Sequence, residues 1–216
     1  MKFVKGLAEF LPAFALTAFL IGGAVVITLG FRPLYYKDVD RLQIPQESGY
    51  SKEEILENYN ALIDYNMKWE DSRLEFPSLP MSDNGRTHFA EVKDIFDIFK
   101  WMLVVGGAIS LVGAFLFLRK KEAGFLLKAS VTSAVLPVVL AILAAACWDK
   151  LFVWFHELFF DNDFWQFSEI EDPVILILPD TFFLHCALMI FGLVFLGSIL
   201  CLVLYLILRK RKSAVR

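Results

Sequence analysis

Cysteine and histidine are scarce in this 216-residue chain, with three of each. Three cysteines cannot build a disulfide framework. Only Cys147 and Cys186, near the ends of two apolar runs, are placed for a bridge, and isolated cysteines in such runs more often serve as small packing residues. The usual nucleophile signatures are missing as well: there is no G-x-S-x-G, no glycine-rich phosphate loop, and no cysteine in the polar, electropositive surroundings that activate a thiol. His156-Glu157 begins like the zinc motif H-E-x-x-H, but position 160 is Phe, so the second ligand is lacking. A site from His88, His156 and a carboxylate is conceivable, yet no spacing demands it. No metal and no cofactor are therefore expected. Charge is also absent where a transporter would need it. Asp, Glu, Lys and Arg are missing from the interiors of four long apolar runs, apart from Lys128 at one end. Ionisable groups inside the bilayer mark ion and proton pathways, so this absence argues against transport.

What is present is apolar surface. Hydrophobic residues make up 57% of the chain, and four runs (11–29, 101–118, 126–148 and 182–208) are long enough to cross about 30 Å of hydrocarbon. In lipid an unpaired backbone amide finds no partner, so each run is expected to be a helix. Lys2 and Lys5 precede the first run as in a secretory signal, but no small-x-small cleavage site follows, and an uncleaved helix is expected. Basic residues flank the runs at three places: Lys2 and Lys5, then Arg119 to Lys128, then Arg209 to Lys212. The positive-inside rule puts these in the cytoplasm.

The expected architecture is thus an all-α membrane protein with four transmembrane helices, both termini cytoplasmic, and a small extracellular cap. It comprises a terminus and first span (1–29), a first cap segment (30–100), a second span (101–118), an inner loop (119–125), a third span (126–148), a second cap segment (149–181), a fourth span (182–208) and a basic tail (209–216). The cap is acidic. Residues 30–100 carry nine Lys and Arg against fourteen Asp and Glu, and residues 149–181 carry Lys150 against eight acids, so nothing points to nucleic acid.

Within the first cap segment, Ser51 followed by Glu54 is a capping box, and Ile55, Tyr59, Leu62 and Ile63 give the helix after it one apolar stripe. Pro77, Pro80 and Asn84-Gly85 mark turns, after which Thr87 can cap a helix that starts at His88 and runs into the second span. A straight helix would lift His88 about 20 Å beyond Trp101. A bent or shallow course, with His88 at headgroup depth, suits its amphipathic character better. Residues 30–50 and 166–178 carry only faint periodic signals, which short strands would also give.

Chemistry then falls to the histidines. His88, His156 and His185 all sit outside the spans or at their edge, where the ordinary role of an imidazole is that of a hydrogen-bonded interfacial group. His185, one turn into an apolar helix, is left with that role. His156 stands apart: the stretch WFHELFFDNDFW surrounds it with six aromatic rings and three acids in twelve positions. On a helix it shares a face with Asp149, Phe152, Phe159, Phe160 and Asp163, so an acid could orient the ring, although solvated charges are the plainer reading.

FHELFFDNDFW followed by DPVILILPDTFF, with MSDNGRTHFAEVKDIF and GYSKEEILENYNALIDY before them, resembles the bacterial lipoprotein intramolecular transacylase family, Lit. The resemblance runs through the whole chain. It implies a substrate, a bacterial lipoprotein whose N-terminal cysteine carries a diacylglyceryl thioether, held in membrane lipid. It also implies a reaction: the sn-2 acyl chain moves to the cysteine's own amino group, giving the lyso form. Catalytic roles fall by the same resemblance on His88 and His156.

Aminolysis of an ester needs a base for the amine proton, a donor for the oxyanion, and a proton for the leaving alkoxide. Two imidazoles can supply these without a covalent intermediate. His156 is the better fit to the base and shuttle and His88 to the donor for the oxyanion or the leaving oxygen, while the sequence also allows the reversed split. The cyclic intermediate has eight members, so folding the substrate is a large part of the task. Phe155, Phe159, Phe160, Phe164 and Trp165 are the candidates to wall the substrate, or else they anchor the cap at the interface. The competing reading is a non-catalytic membrane protein whose acidic cap binds a partner.

Overall fold

The computed structural model describes residues 8–70, 72–120 and 122–214; Lys2, Lys5 and Lys121, three of the flanking basic residues, lie outside them. The described residues form eight helices and no strand: α1 Phe10–Gly30, α2 Arg32–Arg41, α3 Ile44–Ser48, α4 Lys52–Met67, α5 Asp83–Arg119, α6 Gly124–Phe159, α7 Val174–Ile177 and α8 Asp180–Ala214. Helices α1, α5, α6 and α8 are long and apolar enough to cross a membrane, and they contain the four expected runs. The chain divides into two compact units, one of Met1–Val26, Ile98–Ile142 and Met189–Arg216, the other of Ile27–Asp97 and Leu143–Leu188.

In the first unit the helices meet through small residues. Lipid tails are as apolar as leucine, so large apolar side chains gain little by turning inward, and close backbone packing takes over. Leu111 and Phe14 are 74% and 73% exposed, whereas Ala13, Ala15, Ala24 and Ala129 are buried. A Cβ on Gly22 would come within 2.6 Å of the Phe99 carbonyl oxygen, and one on Gly106 within 2.8 Å of the Ala15 carbonyl oxygen. The backbones of α1 and α5 therefore touch at both glycines. Polar pairs add to this: the Ser198 hydroxyl donates to the Ser130 carbonyl at 2.8 Å, and the Thr17 and Thr132 hydroxyls lie 2.7 Å apart. Lys128, the charge at the end of the third run, pairs with Glu9 at 2.8 Å.

The second unit has a core of large side chains. Tyr35 stacks on Tyr59 with centroids 3.7 Å apart, Phe182 packs edge-on to both, and Ile55, Val39, Val174 and Ile177 close around them. The Tyr35 hydroxyl donates to the Ile177 carbonyl at 2.6 Å. Burial raises the pKa of Tyr35 and Tyr59 far above the usual phenol value, so both stay neutral donors. The capping box on α4 forms as expected: the Ser51 hydroxyl accepts from Glu54 N at 3.2 Å, and Glu54 accepts from Ser51 N at 3.0 Å. The Ser51 hydroxyl, which also donates to Glu54 Oε2 at 2.8 Å, and then the Ser51 N–H hold the Glu54 carboxyl below its usual range.

Some local structure that the sequence leaves open is defined, and some expectations are corrected. Residues 30–50 form α2 and α3, each with a proline in its first turn, where the missing N–H costs nothing. Residues 174–177 form α7, so no strand occurs in either stretch among the described residues. Helix α5 starts at Asp83, not at His88, because the Ser82 hydroxyl accepts from Gly85 N at 2.9 Å and caps it there. Asn84-Gly85 thus lies in the first helical turn, and the Thr87 hydroxyl donates back to the Asp83 carbonyl at 2.9 Å. From Asp83 to Arg119 the helix is continuous, with no break between His88 and Trp101. Helix α6 does break, at Cys147, whose φ of −158° and ψ of 57° separate the apolar run from the piece that bears His156. All three cysteines are free thiols.

Candidate active site

The histidine pair lies within the second unit. His88 occupies the second turn of α5, and the start of that helix is fixed from a distant part of the chain. Asp172 is 3% exposed and accepts from both Ser82 N (2.8 Å) and the Ser82 hydroxyl (2.6 Å). A Cβ at Gly85 would overlap the Asp172 carboxylate, so glycine is required for this approach. The segment that follows the His156 helix is thereby tied to the first turn of the His88 helix, through a carboxylate at a helix N-terminus where its charge is favoured.

The two rings are brought together. His88 and His156 have centroids 6.0 Å apart. Phe160, 5% exposed, lies against both, at 4.7 Å from His88 and 5.6 Å from His156. Trp165 stacks on His156 at 4.7 Å, Phe152 lies 4.4 Å from it, and Phe167 meets His88 edge-on at 5.3 Å. Of the aromatic candidates, Phe160 and Trp165 thus line the pair directly. Phe155 reaches His156 at 5.4 Å and Phe159 packs on Phe155 at 4.8 Å, both half exposed. Phe164 contributes its backbone N–H to Asn162 Oδ1 at 3.0 Å, while Phe152 and Phe167 supply ring contacts that the sequence did not single out. The signal for Phe152 was present, since it lies four residues before His156 on one helical face. Phe167 had no such signal.

The imidazole environments differ. His156 Nδ1 lies 2.8 Å from the Phe152 carbonyl oxygen. A carbonyl can only accept, so Nδ1 carries the proton and Nε2 of the neutral ring is left as a base. Among the described residues no acid orients the ring; the backbone of the preceding turn does. Burial lowers the pKa of His156, with the Phe152 bond acting the other way. His88 is 5% exposed, and burial first, then the neighbouring His156, push its pKa down to about 4. Both rings are neutral at pH 7. His185 is engaged elsewhere, its Nδ1 2.7 Å from Asp38 Oδ2, as an ordinary satisfied imidazole.

One further polar contact joins the two histidine-bearing segments. Asn162 Nδ2 donates to Glu91 Oε1 at 2.9 Å, and Glu91 lies one turn beyond His88 on α5. Among the described residues no three His, Cys, Asp or Glu side chains converge as metal ligands would.

A neutral base beside a second neutral imidazole, in aromatic surroundings, is suited to acyl transfer without a nucleophilic side chain. The family model for the lipoprotein intramolecular transacylase Lit matches residues 10–183. The solved structure of the membrane integral lipoprotein intramolecular transacylase Lit from Bacillus cereus superposes with a TM-score of 0.95 at 35% identity, over 99% of this chain and 100% of that one. Structures of the same Bacillus cereus protein with one histidine changed to arginine or to alanine give TM-scores of 0.89 and 0.88 at 34% and 35% identity. They cover 100% and 99% of this chain and 96% and 97% of theirs. No curated protein matches the chain. With the family pattern over most of its length and the fold of an experimentally solved member over nearly all of it, the chain belongs to the lipoprotein intramolecular transacylase family, Lit.

Proposed function

We propose that this chain moves the sn-2 acyl group of a diacylglyceryl-cysteine lipoprotein onto the cysteine's α-amino nitrogen, with His88 and His156 as the catalytic residues. The observation that carries the proposal is the neutral pair itself: two imidazoles 6.0 Å apart, one with its Nδ1 committed to a backbone carbonyl. His156 Nε2 takes a proton from the amine as the nitrogen attacks the ester carbonyl. His88 donates an N–H to the oxyanion, which a ring kept neutral by burial can do. As the intermediate collapses, the bond between the carbonyl carbon and the glyceryl oxygen breaks. The proton held on His156 passes to that oxygen, leaving an amide and a free sn-2 hydroxyl.

Phe155, Phe159, Phe160, Phe164 and Trp165 wall the reacting head in this reading, bending the glyceryl group back toward the amine while the acyl chains stay in lipid. Closing a medium ring is entropically slow, so this confinement supplies much of the rate. The basic flanks support a plasma membrane orientation with cytoplasmic termini and the histidines at the outer face, where mature lipoproteins present their N termini.

The test is mass spectrometry of lipoprotein N-terminal peptides from a host that makes diacyl lipoproteins and expresses this chain. Lyso-form peptides, N-acylated and with one glyceryl acyl chain, are the expected product. Unchanged diacyl peptides would overturn the proposal.

A further inference from the structure

Two buried polar atoms of α5, His88 Nδ1 and Glu91 Oε2, have no hydrogen-bond partner among the described residues. Residues three apart on a helix share a face, so both atoms belong to one side of α5. The other Glu91 oxygen is occupied, since Oε1 accepts from Asn162 Nδ2 at 2.9 Å. Asn162 is fixed in turn, because its Oδ1 accepts from Phe164 N at 3.0 Å in the turn between His156 and Trp165. One carboxylate oxygen is thus fastened to the aromatic turn and the other is left as a buried acceptor. Such an atom has lost its water without gaining a donor, which is unfavourable unless something else supplies one. Lys93, the nearest cation along the helix, is engaged with the Lys68 carbonyl and lies 3.7 Å from Asp97.

We propose that Glu91 Oε2 receives the α-ammonium group of the substrate's N-terminal cysteine. The inference rests on the transacylase reading and names how that substrate is recognised. The ester, thioether and acyl chains of a diacylglyceryl-cysteine head offer only acceptors or apolar surface, and its peptide N–H carries no charge. The ammonium alone matches a buried anionic acceptor, with three donors and the opposite charge. Its position beside His88 also brings the nitrogen to the imidazole pair. The ammonium first gives one proton to solvent to become the nucleophilic amine, and the second leaves through His156 to the glyceryl oxygen. The product is a neutral amide, which loses this contact, so the site distinguishes substrate from product.

The experiment uses the full-length protein in detergent and two non-reacting probes. Both are diacylglyceryl-cysteine lipopeptides with ether links in place of the esters, one with a free α-amine and one N-acetylated. At pH 7 the free amine is mostly protonated. The wild-type protein should bind it about tenfold or more tightly than the acetylated probe, and Glu91→Gln should reduce that ratio to about threefold or less. Glutamine keeps the carbonyl oxygen that Asn162 needs. Equal binding of the two probes by the wild type, or an undiminished ratio in Glu91→Gln, overturns the proposal. Should Glu91→Gln not fold, Asn162→Ala releases Glu91 from the turn, and an unchanged ratio there overturns it as well. Conversion of the ester substrate by the wild type is measured in parallel. Conversion without an ammonium preference sinks the role of Glu91 alone, whereas no conversion sinks the transacylase reading.

Discussion

In the unit formed by Met1–Val26, Ile98–Ile142 and Met189–Arg216, backbones touch at Gly22 and Gly106, while Leu111 and Phe14 face outward. In the unit formed by Ile27–Asp97 and Leu143–Leu188, Tyr35, Ile55 and Ile177 are wholly buried, and polar groups such as Asn58 and Asp172 are buried with partners. Asn58 shows the second style fully: its amide donates to the Glu54 carbonyl and Ser78 hydroxyl, and its carbonyl accepts from Ser78 N and Leu79 N. A contrast of this kind is what lipid and water, as solvents, would each select. Where lipid is the solvent, apolar burial gains little and small residues bring helices together. Where water is the solvent, apolar burial stabilises by about 25 cal/mol per Å² and buried polar groups need designated partners. The candidate site belongs to the second style, with one change: His88 Nδ1 and Glu91 Oε2 have no partner among the described residues.

The largest effect that can break this comparison is acid sensitivity confined to the second unit. His88 is neutral when folded down to about pH 4, whereas an unfolded histidine takes up its proton near 6.5. The stability from keeping it neutral is present in full above pH 6.5 and is lost as pH falls from 6.5 toward 4, by about 3 kcal/mol in all. Thermal unfolding from pH 7.5 to 4.5 should show that loss in the wild type and a smaller one in His88→Gln, which does not titrate. Parallel profiles for the two would contradict it.

Next in size is Asp172→Asn. An amide cannot accept from Ser82 N and the Ser82 hydroxyl with both of its polar atoms, so about 2 kcal/mol should be lost in denaturant unfolding. Hydrogen exchange should quicken first at the start of α5. Tyr35→Phe removes the donor to the Ile177 carbonyl and should cost about 1 kcal/mol, with the buried carbonyl left unpaired. Ser198→Ala, the corresponding change in the first unit, removes the donor to the Ser130 carbonyl and should cost only about 0.6 kcal/mol. Unfolding of the two variants side by side gives the order, and a reversal would mean that the two units do not differ in the way described.

The same contrast decides how much the sequence discloses. The four apolar runs are legible because lipid imposes one long, simple pattern, and the Ser51-Glu54 box is legible because its partners are three residues apart. The start of α5 was misread at Thr87, since both Ser82 and Thr87 offer a capping hydroxyl and the choice is made by Asp172, 90 residues downstream. Residues 30–50 gave faint signals because α2 and α3 are too short to show a period. Both imidazoles were visible as types of residue, and their proximity only through the family resemblance. Glu91 was hidden for the same reason as Ser82: its partner Asn162 is 71 residues away. The acids near His156 looked able to orient its ring, yet a backbone carbonyl, which no side-chain pattern reveals, holds that place.

The central claim is that the two imidazoles act together. Its most direct test is the single-turnover rate of lyso-form production by purified wild type, His88→Ala, His156→Ala and the double variant. Each single change should slow the reaction by about 10²-fold or more, and the double variant should be little slower than the worse single one, as expected of groups that work as a unit. A wild-type rate in either single variant would contradict the account.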